Sequence, residues 1–172
     1  MEIKNGLNLS LKEKEELIDI FFENSVKKTF LDQSDKSNFL LKYFGYYLDN
    51  YPKYFFLITS KSVLGYVCAI PKIFEDEKIK QLTKHIELFD DLFNTYPAHA
   101  HINITSKSQG QGIGTKLFQS LENQLVLDGI KGIHIVTVPN SDNVKFYRNN
   151  GFDAEHLRGS GISELLFMAK TL

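Results

Sequence analysis

The sequence predicts a mixed α/β (α+β) fold in a single domain spanning residues 1–172. Two observations carry this. Segments whose apolar residues recur every three or four positions, as on one face of a helix, are interleaved with short alternating or β-branched runs, as in strands. One stretch, Ala98–Thr115, joins both kinds through three closely spaced glycines. With 172 residues, 42% hydrophobic and 13% aromatic, the chain can bury a sizeable core, which excludes disorder. No internal repeat or low-complexity linker marks a domain boundary.

In order, Ser10-Leu-Lys-Glu13 reads as a capping box opening a helix, with Leu11, Leu17, Ile18, Phe21 and Phe22 available for its buried stripe. Phe39–Leu48 is a second helix, whose tyrosines suit core packing or the lining of a substrate cleft. Tyr54–Thr59 and Val63–Ile70 are two strands joined by the tight turn Ser60-Lys61-Ser62, and Pro71 ends the second. Between Pro71 and Pro97, Ile79, Leu82, Ile86, Phe89 and Phe93 trace a helical face. The acids around it, Glu75, Asp76, Glu87, Asp90 and Asp91, read as a solvated surface.

The chain then reaches its organising stretch. His99–Thr105 alternates as a half-buried strand with Ile102 and Ile104 on one face. Gln109-Gly110-Gln111-Gly112-Ile113-Gly114 places three glycines where a helix begins. Leu117, Leu121 and Leu125, with Phe118 and Leu127 nearby, give that helix an apolar face, and Gly129 stops it. Glycines let backbone N–H groups approach an anion closely, and a helix N-terminus adds donors and a favourable dipole. The stretch suits a phosphate or pyrophosphate. It is neither the dinucleotide fingerprint, since Thr115 stands where the last glycine would be, nor a P-loop, since no Gly-Lys-Ser/Thr follows.

The spacing Gln109-x-x-Gly112-x-Gly114 resembles the Arg/Gln-x-x-Gly-x-Gly/Ala signature of the GNAT superfamily of N-acetyltransferases. Downstream, the β-branched run Ile130–Pro139 reads as a buried strand. Asn140 to Phe152 then resembles the N-x-x-x-x-x-(F/L)-Y-x-x-x-G-F stretch that follows in that superfamily, and Gly65-Tyr66 matches its hairpin. Phe152–Leu157 and Glu164–Ala169 read as a closing strand pair about the turn Gly159-Ser160-Gly161. The resemblance implies a mostly antiparallel central sheet flanked by helices and splayed at the signature strand. The poorest match is the first strand, because Met1–Leu9 is short and interrupted by Gly6.

The resemblance implies an acetyl-CoA-dependent enzyme that transfers an acetyl group directly to an amine of a small molecule, peptide or protein. It assigns the pyrophosphate to backbone N–H groups of Gln109, Gly110, Gln111, Gly112, Ile113, Gly114 and Thr115. Backbone groups of Ile102, Asn103 and Ile104 would hold the pantetheine arm, with Asn143 beside the coenzyme and Asn140 either touching its arm or capping its helix. Tyr147 would contact the coenzyme near its sulfur and serve as general acid for the thiolate. The 71–97 insertion would either cap the acceptor site or pack on the surface.

The base is less defined. His99 and His101 sit two apart on one face of the strand, and His101 is a candidate. Counting back from Gln109, however, family base positions fall on Ala98 or Ala100. Tyr46-Tyr47-Leu48-Asp49-x-Tyr51-Pro52 and Tyr96-Pro97-Ala98-His99-x-His101-Ile102 resemble a GNAT subgroup that includes the acetyltransferase-like domain of some O-GlcNAc hydrolases. Several of its members carry Asp where this chain has Asn103, which cannot act as a carboxylate base. A catalytically silent acyl-CoA-binding sensor or interaction module is the alternative.

Other readings have less behind them. A net charge of −1 gives no general pull toward nucleic acid or anionic membrane. His99-x-His101 has no third ligand at metal-binding spacing, so no metal is expected, and His134 reads as a hydrogen-bonded structural histidine. The single Cys68, the charged start and the lack of a long apolar run fit a cytoplasmic protein with no membrane span. The aromatic density leaves room for a homodimer face.

Overall fold

The computed structural model describes the backbone of residues 1–172 and every side chain except those of Lys84, His85 and Ile162. In chain order its elements are β1 (Glu2–Asn5), α1 (Leu11–Asn24), α2 (Gln33–Leu40), α3 (Tyr46–Asn50), β2 (Phe55–Thr59), β3 (Val63–Ile70), α4 (Glu77–Leu82), β4 (Ala98–Ile104), α5 (Ile113–Leu127), β5 (Gly132–Thr137), α6 (Asn143–Asn149), β6 (Ala154–Arg158) and β7 (Leu165–Thr171). The strands are ordered β1-β2-β3-β4-β5-β7-β6 in one sheet. Ladders β1–β2, β2–β3, β5–β7 and β6–β7 are antiparallel, and β4–β5 is parallel. The parallel ladder pairs Ala98 with Ile133 and His99 with His134, then stops, although β4 runs on to Ile104 and β5 to Thr137. The ladder thus ends early on the strand leading into the glycine turn, the strand at which the resemblance implies a splay. Among the described residues, no helix is long and apolar enough to cross a membrane.

Two compact units make up the chain, and each has its own core. The first comprises Met1–Ala69 and His101–Gln124. Its first strand does form: β1 pairs with β2 from Glu2 opposite Thr59 to Asn5 opposite Phe56, and Gly6 ends it. The capping box at α1 closes in both directions, Glu13 N to Ser10 Oγ (3.2 Å) and Ser10 N to Glu13 Oε2 (2.9 Å). Leu17, Ile20 and Phe21 form the buried stripe. Leu11, predicted to join it, is 81% exposed. Six positions from Leu17 place it about 120° round the helix from that residue.

The predicted helix over Phe39–Leu48 is longer and less regular than its apolar pattern. It begins after Asp32, whose carboxylate accepts from Asp35 N (2.8 Å), and widens to a π turn at Leu41–Gly45, where Tyr46 N donates to Leu41 O. Its rings build the core of this unit: Phe44 meets Phe21 (5.8 Å), Phe55 (5.7 Å) and Tyr66 (5.4 Å), and Phe55 stacks on Tyr66 at 5.1 Å. Fully burying each such side chain contributes about 1.5–3 kcal/mol, so these contacts decide how the helices lie on the strands.

The second unit comprises Ile70–Ala100 and Leu125–Leu172. β5 and β7 pair over six residues, from Gly132 opposite Thr171 to Thr137 opposite Leu166. The predicted helical face of the 71–97 insertion buries Ile79, Ile86, Phe89 and Phe93, but three short helical pieces carry it, with breaks at Thr83 and Phe89 (φ −118°, ψ 16°). At the first break the Thr83 hydroxyl bonds the Ile79 carbonyl (2.6 Å). Two of the predicted solvated acids have other roles: Asp76 is buried and caps α4, and Asp91 pairs with Arg158 of β6. Gly129 ends α5 in the left-handed conformation (φ 74°), with Gly129 N to Val126 O (3.0 Å) and Ile130 N to Leu125 O (2.9 Å), the Schellman pattern. Leu127, read as part of the apolar face of α5, is 80% exposed beside that stop.

Candidate functional site

In the first unit, β4 leads through a single turn, Ser106–Ser108, into Gln109-Gly110-Gln111-Gly112 and then α5. Gly110 (φ 73°) and Gly112 (φ 74°) are left-handed, which L side chains rarely tolerate, whereas Gly114 lies within the helix. A Cβ on either left-handed glycine would meet nothing within 4 Å, so conformation, not crowding, selects glycine, and the space over the turn is open. The glutamines brace the loop from below: Gln109 Nε2 donates to Ile104 O (3.3 Å) and Gln111 Nε2 to Lys107 O (2.9 Å). Lys116 N closes the first helical bond, to Gly112 O (3.2 Å). By helix geometry the amides of Ile113, Gly114 and Thr115 precede that ladder and have no acceptor within the helix. These first helical amides are donors that the helix itself leaves unused, the kind of group that anions accept from.

One contributor is invisible in the motif. Glu23, at the end of α1, accepts from Ser106 N (3.1 Å) and pins the loop before the glycines. The Ser106 hydroxyl and amide hold its carboxyl below the usual range, with Lys107 and Lys28 adding to this. The partners are 83 positions apart, and only the fold brings them together.

The C-terminal half of β4 is held against β3. Thr105 N donates to Leu64 O (2.9 Å). At Gly65 the strands approach so closely that a Cβ would lie 2.9 Å from Asn103 O and 3.1 Å from Ile104 Cα. Here the Gly65-Tyr66 pair has a physical reason. Gly65 admits the neighbouring backbone, and the fully buried Tyr66 hydroxyl accepts from Asn103 Nδ2 (2.7 Å). Burial pushes the Tyr66 phenol well above its ordinary range. Asn103 thus braces the strand through its side chain. His101 is half-buried, with its ring edge-on to Tyr47 (5.1 Å) and Tyr43 (6.4 Å).

In the second unit His99 has a different setting from His101. His134 Nδ1 lies 2.6 Å from the Tyr96 carbonyl, and His134 Nε2 lies 3.0 Å from His99 Nδ1. A carbonyl can only accept, so His134 carries its proton on Nδ1 and, when neutral, accepts at Nε2 from His99 Nδ1–H. Phe93 (5.2 Å) and Phe167 (4.6 Å) stack on His134. This is the structural histidine that the sequence predicts.

Asn140, Asn143 and Tyr147 also belong to the second unit. The expectation that Asn140 caps the short helix is corrected. Asp142 stands at the N-cap position, already helical (φ −60°, ψ −22°), and makes no side-chain capping bond. The Asn143 carbonyl oxygen instead collects the hydroxyls of Thr137 (3.2 Å) and Ser141, which tie the end of β5 to the start of α6. Gly151 (φ 83°) closes α6 through Gly151 N to Arg148 O (3.0 Å) and Phe152 N to Tyr147 O (3.1 Å). Tyr147 is buried beside Phe146 (5.4 Å) and Phe152 (5.7 Å), and burial raises its phenol above the ordinary range.

The profile described as the acetyltransferase (GNAT) family matches residues 15–152, a span that includes every site residue above. Among solved structures, SsHAT is similar with a TM-score of 0.73 at 16% identity, covering 99% of this chain and 97% of that one. The ribosomal-protein-alanine N-acetyltransferase from Brucella melitensis gives a TM-score of 0.63 at 18% identity, covering 100% of both chains. YncA from Salmonella typhimurium, whose structure is described with its cofactor acetyl-CoA, gives 0.62 at 18% identity, covering 99% of this chain and 93% of that one. At these identities the structural likeness is one of fold.

Proposed function

Since this chain belongs to the acetyltransferase (GNAT) family, we propose that it transfers the acetyl group of acetyl-CoA directly to an amine of a small molecule, peptide or protein. The observation that carries this reading is the left-handed Gly110 and Gly112 turn feeding the first amides of α5, with open space above it. Acetyl-CoA supplies an activated acetyl thioester. In this reading the amides from Gln109 to Thr115 hold its diphosphate, and the backbone of Ile102, Asn103 and Ile104 holds the pantetheine arm. Asn140 and Asn143 serve the coenzyme, and Tyr147 donates to the departing sulfur. Its raised pKa keeps that phenol protonated through neutral pH, so it stays a donor.

Direct transfer is favoured over an acyl-enzyme. The sole cysteine, Cys68, is fully buried, and burial raises its thiol above the ordinary range, the opposite of what a nucleophile needs. His101 is the base candidate on β4. A second reading, a coenzyme-binding module without turnover, draws on the strand itself: Ala98–Ile104 carries no carboxylate, and the Asn103 amide is committed to Tyr66.

The test is isothermal titration with acetyl-CoA, using NAD and ATP as controls, followed by an amine screen. Selective acetyl-CoA binding that Gly112→Glu abolishes is expected, together with slower transfer but near-normal binding in Tyr147→Phe. Binding without turnover on any amine would favour the module. No binding by folded protein would end the coenzyme reading.

A further inference from the structure

We propose, resting on the reading that this chain binds acetyl-CoA, that Glu23 at the end of α1 is a positioning residue for that coenzyme. Through Ser106 it fixes the loop whose amides would hold the diphosphate. Glu23 Oε1 accepts from Ser106 N at 3.1 Å. Ser106 stands four positions before Gly110, and the turn that it opens is closed by Ser108 N to Thr105 O (2.9 Å). A shift of Ser106 is therefore carried into the glycine turn. Other bonds of this run stay within it or reach β3: Gln109 Nε2 to Ile104 O, Gln111 Nε2 to Lys107 O and Thr105 N to Leu64 O. They set the shape of the loop and hold the strand before it. The bond to Glu23 sets where the loop lies against α1.

Glu23 can serve as a fixed post because α1 is itself held along its length. Its capping box closes the first turn, and Leu17, Ile20 and Phe21 are buried. Midway, Glu16 Oε2 accepts from Val63 N of β3 (2.8 Å). In the last turn Lys28 Nζ donates to the carbonyls of Phe22 (3.0 Å) and Glu23 (2.8 Å), and Asn24 Nδ2 donates to Ile20 O (2.9 Å). These donors satisfy carbonyls that a helix end leaves open, and the lysine also suits its dipole. A binding loop fixed in advance by such a support loses less freedom when its ligand arrives. The Glu23 carboxylate would repel a diphosphate, but Lys28 and Lys107 stand beside it and offset that repulsion. What the loop requires from Glu23 is an acceptor oxygen, not a charge.

Titration with acetyl-CoA, and amide hydrogen exchange without it, test this in Glu23→Ala and Glu23→Gln, with thermal unfolding confirming that both fold. Glu23→Ala removes the acceptor and should raise the dissociation constant about fivefold, the worth of one exposed hydrogen bond. The Ser106 amide should exchange several-fold faster in the same variant. Glu23→Gln keeps an oxygen that accepts from Ser106 N and drops the negative charge beside the diphosphate. It should restore Ser106 protection and bind acetyl-CoA at least as tightly as wild type. A residue that merely stabilised α1 would leave both affinity and Ser106 exchange unmoved, and that result would overturn the proposal. So would a Glu23→Gln as weak as Glu23→Ala. A wild type that binds no acetyl-CoA would end the coenzyme reading and this role with it, whereas wild-type binding that Glu23→Ala leaves intact would overturn this role alone.

Discussion

Gly65→Ala should loosen the signature strand in a measurable way. The new Cβ would sit 2.9 Å from Asn103 O and 3.1 Å from both Cα and Cγ1 of Ile104. Two of those neighbours are backbone atoms and cannot rotate away. Relief requires β4 to retreat by about 0.5 Å, against the Thr105 N–Leu64 O bond (2.9 Å) and the Asn103–Tyr66 bond (2.7 Å). Overpacking of this kind costs about 1–3 kcal/mol, or roughly 3–10 °C in Tm for a chain of this size. Gly45→Ala is the internal control. Its nearest atoms are at 3.5 and 3.9 Å, its backbone is helical, and alanine there should stabilise by about 0.5–1 kcal/mol. Urea unfolding of both variants gives the signs, and titration with acetyl-CoA should show about tenfold weaker binding for Gly65→Ala alone. If Gly65→Ala unfolds at the wild-type midpoint, the close approach does not constrain the strand and the account of Gly65 fails.

Two further predictions rest on single clusters. Lys4 and the Ser10 amide and hydroxyl hold the Glu13 carboxyl at about 2, below its ordinary value. Because the folded value is depressed, its contribution is complete above about pH 4.5 and is lost as pH falls toward 2. The difference in urea midpoint between wild type and Glu13→Gln should therefore shrink over that window and stay constant above it. His134→Phe keeps a ring between Phe93 and Phe167 but removes the partner of both the Tyr96 carbonyl and His99 Nδ1. The cost should be about 2–4 kcal/mol by chemical denaturation. Nitrogen-15 spectra of the neutral wild type should place the protons of both His99 and His134 on Nδ1, and the opposite tautomers would contradict the assigned chain.

What was legible in the sequence follows the range of each signal. The capping box at Ser10, the glycine stop at Gly129 and the glycine turn before α5 are contiguous patterns with one backbone solution, and the structure contains all three. The Ile79-to-Phe93 spacing predicts the buried side but not the breaks at Thr83 and Phe89, because periodicity reports which side is apolar and not where the backbone leaves the helical conformation. The start at Asp32 lay outside the apolar run and was missed for the same reason. Asn140 was expected to cap α6 on the strength of a motif, yet the helix begins at Asn143, so its first turn lies beyond the reach of that side chain's usual capping bond. Glu23 on Ser106 and Asn103 on Tyr66 join residues 83 and 37 positions apart, and no local pattern encodes them.

Asn103 is where the two readings of β4 separate. Near neutral pH an aspartate there could accept from the Tyr66 hydroxyl and keep the brace with its polarity reversed, whereas Asn103→Leu would leave the fully buried Tyr66 oxygen without that donor. Asn103→Leu should cost about 1–3 kcal/mol, and Asn103→Asp less. The kinetic expectation follows from where the side chain is anchored. A carboxylate fastened to Tyr66 on β3 stays with the neighbouring strand, so Asn103→Asp should transfer no faster than wild type at any pH. A tenfold gain with a new acidic limb in the pH–rate profile would show that the carboxylate reaches the acceptor, and that Asn103 is a lost base and not a brace.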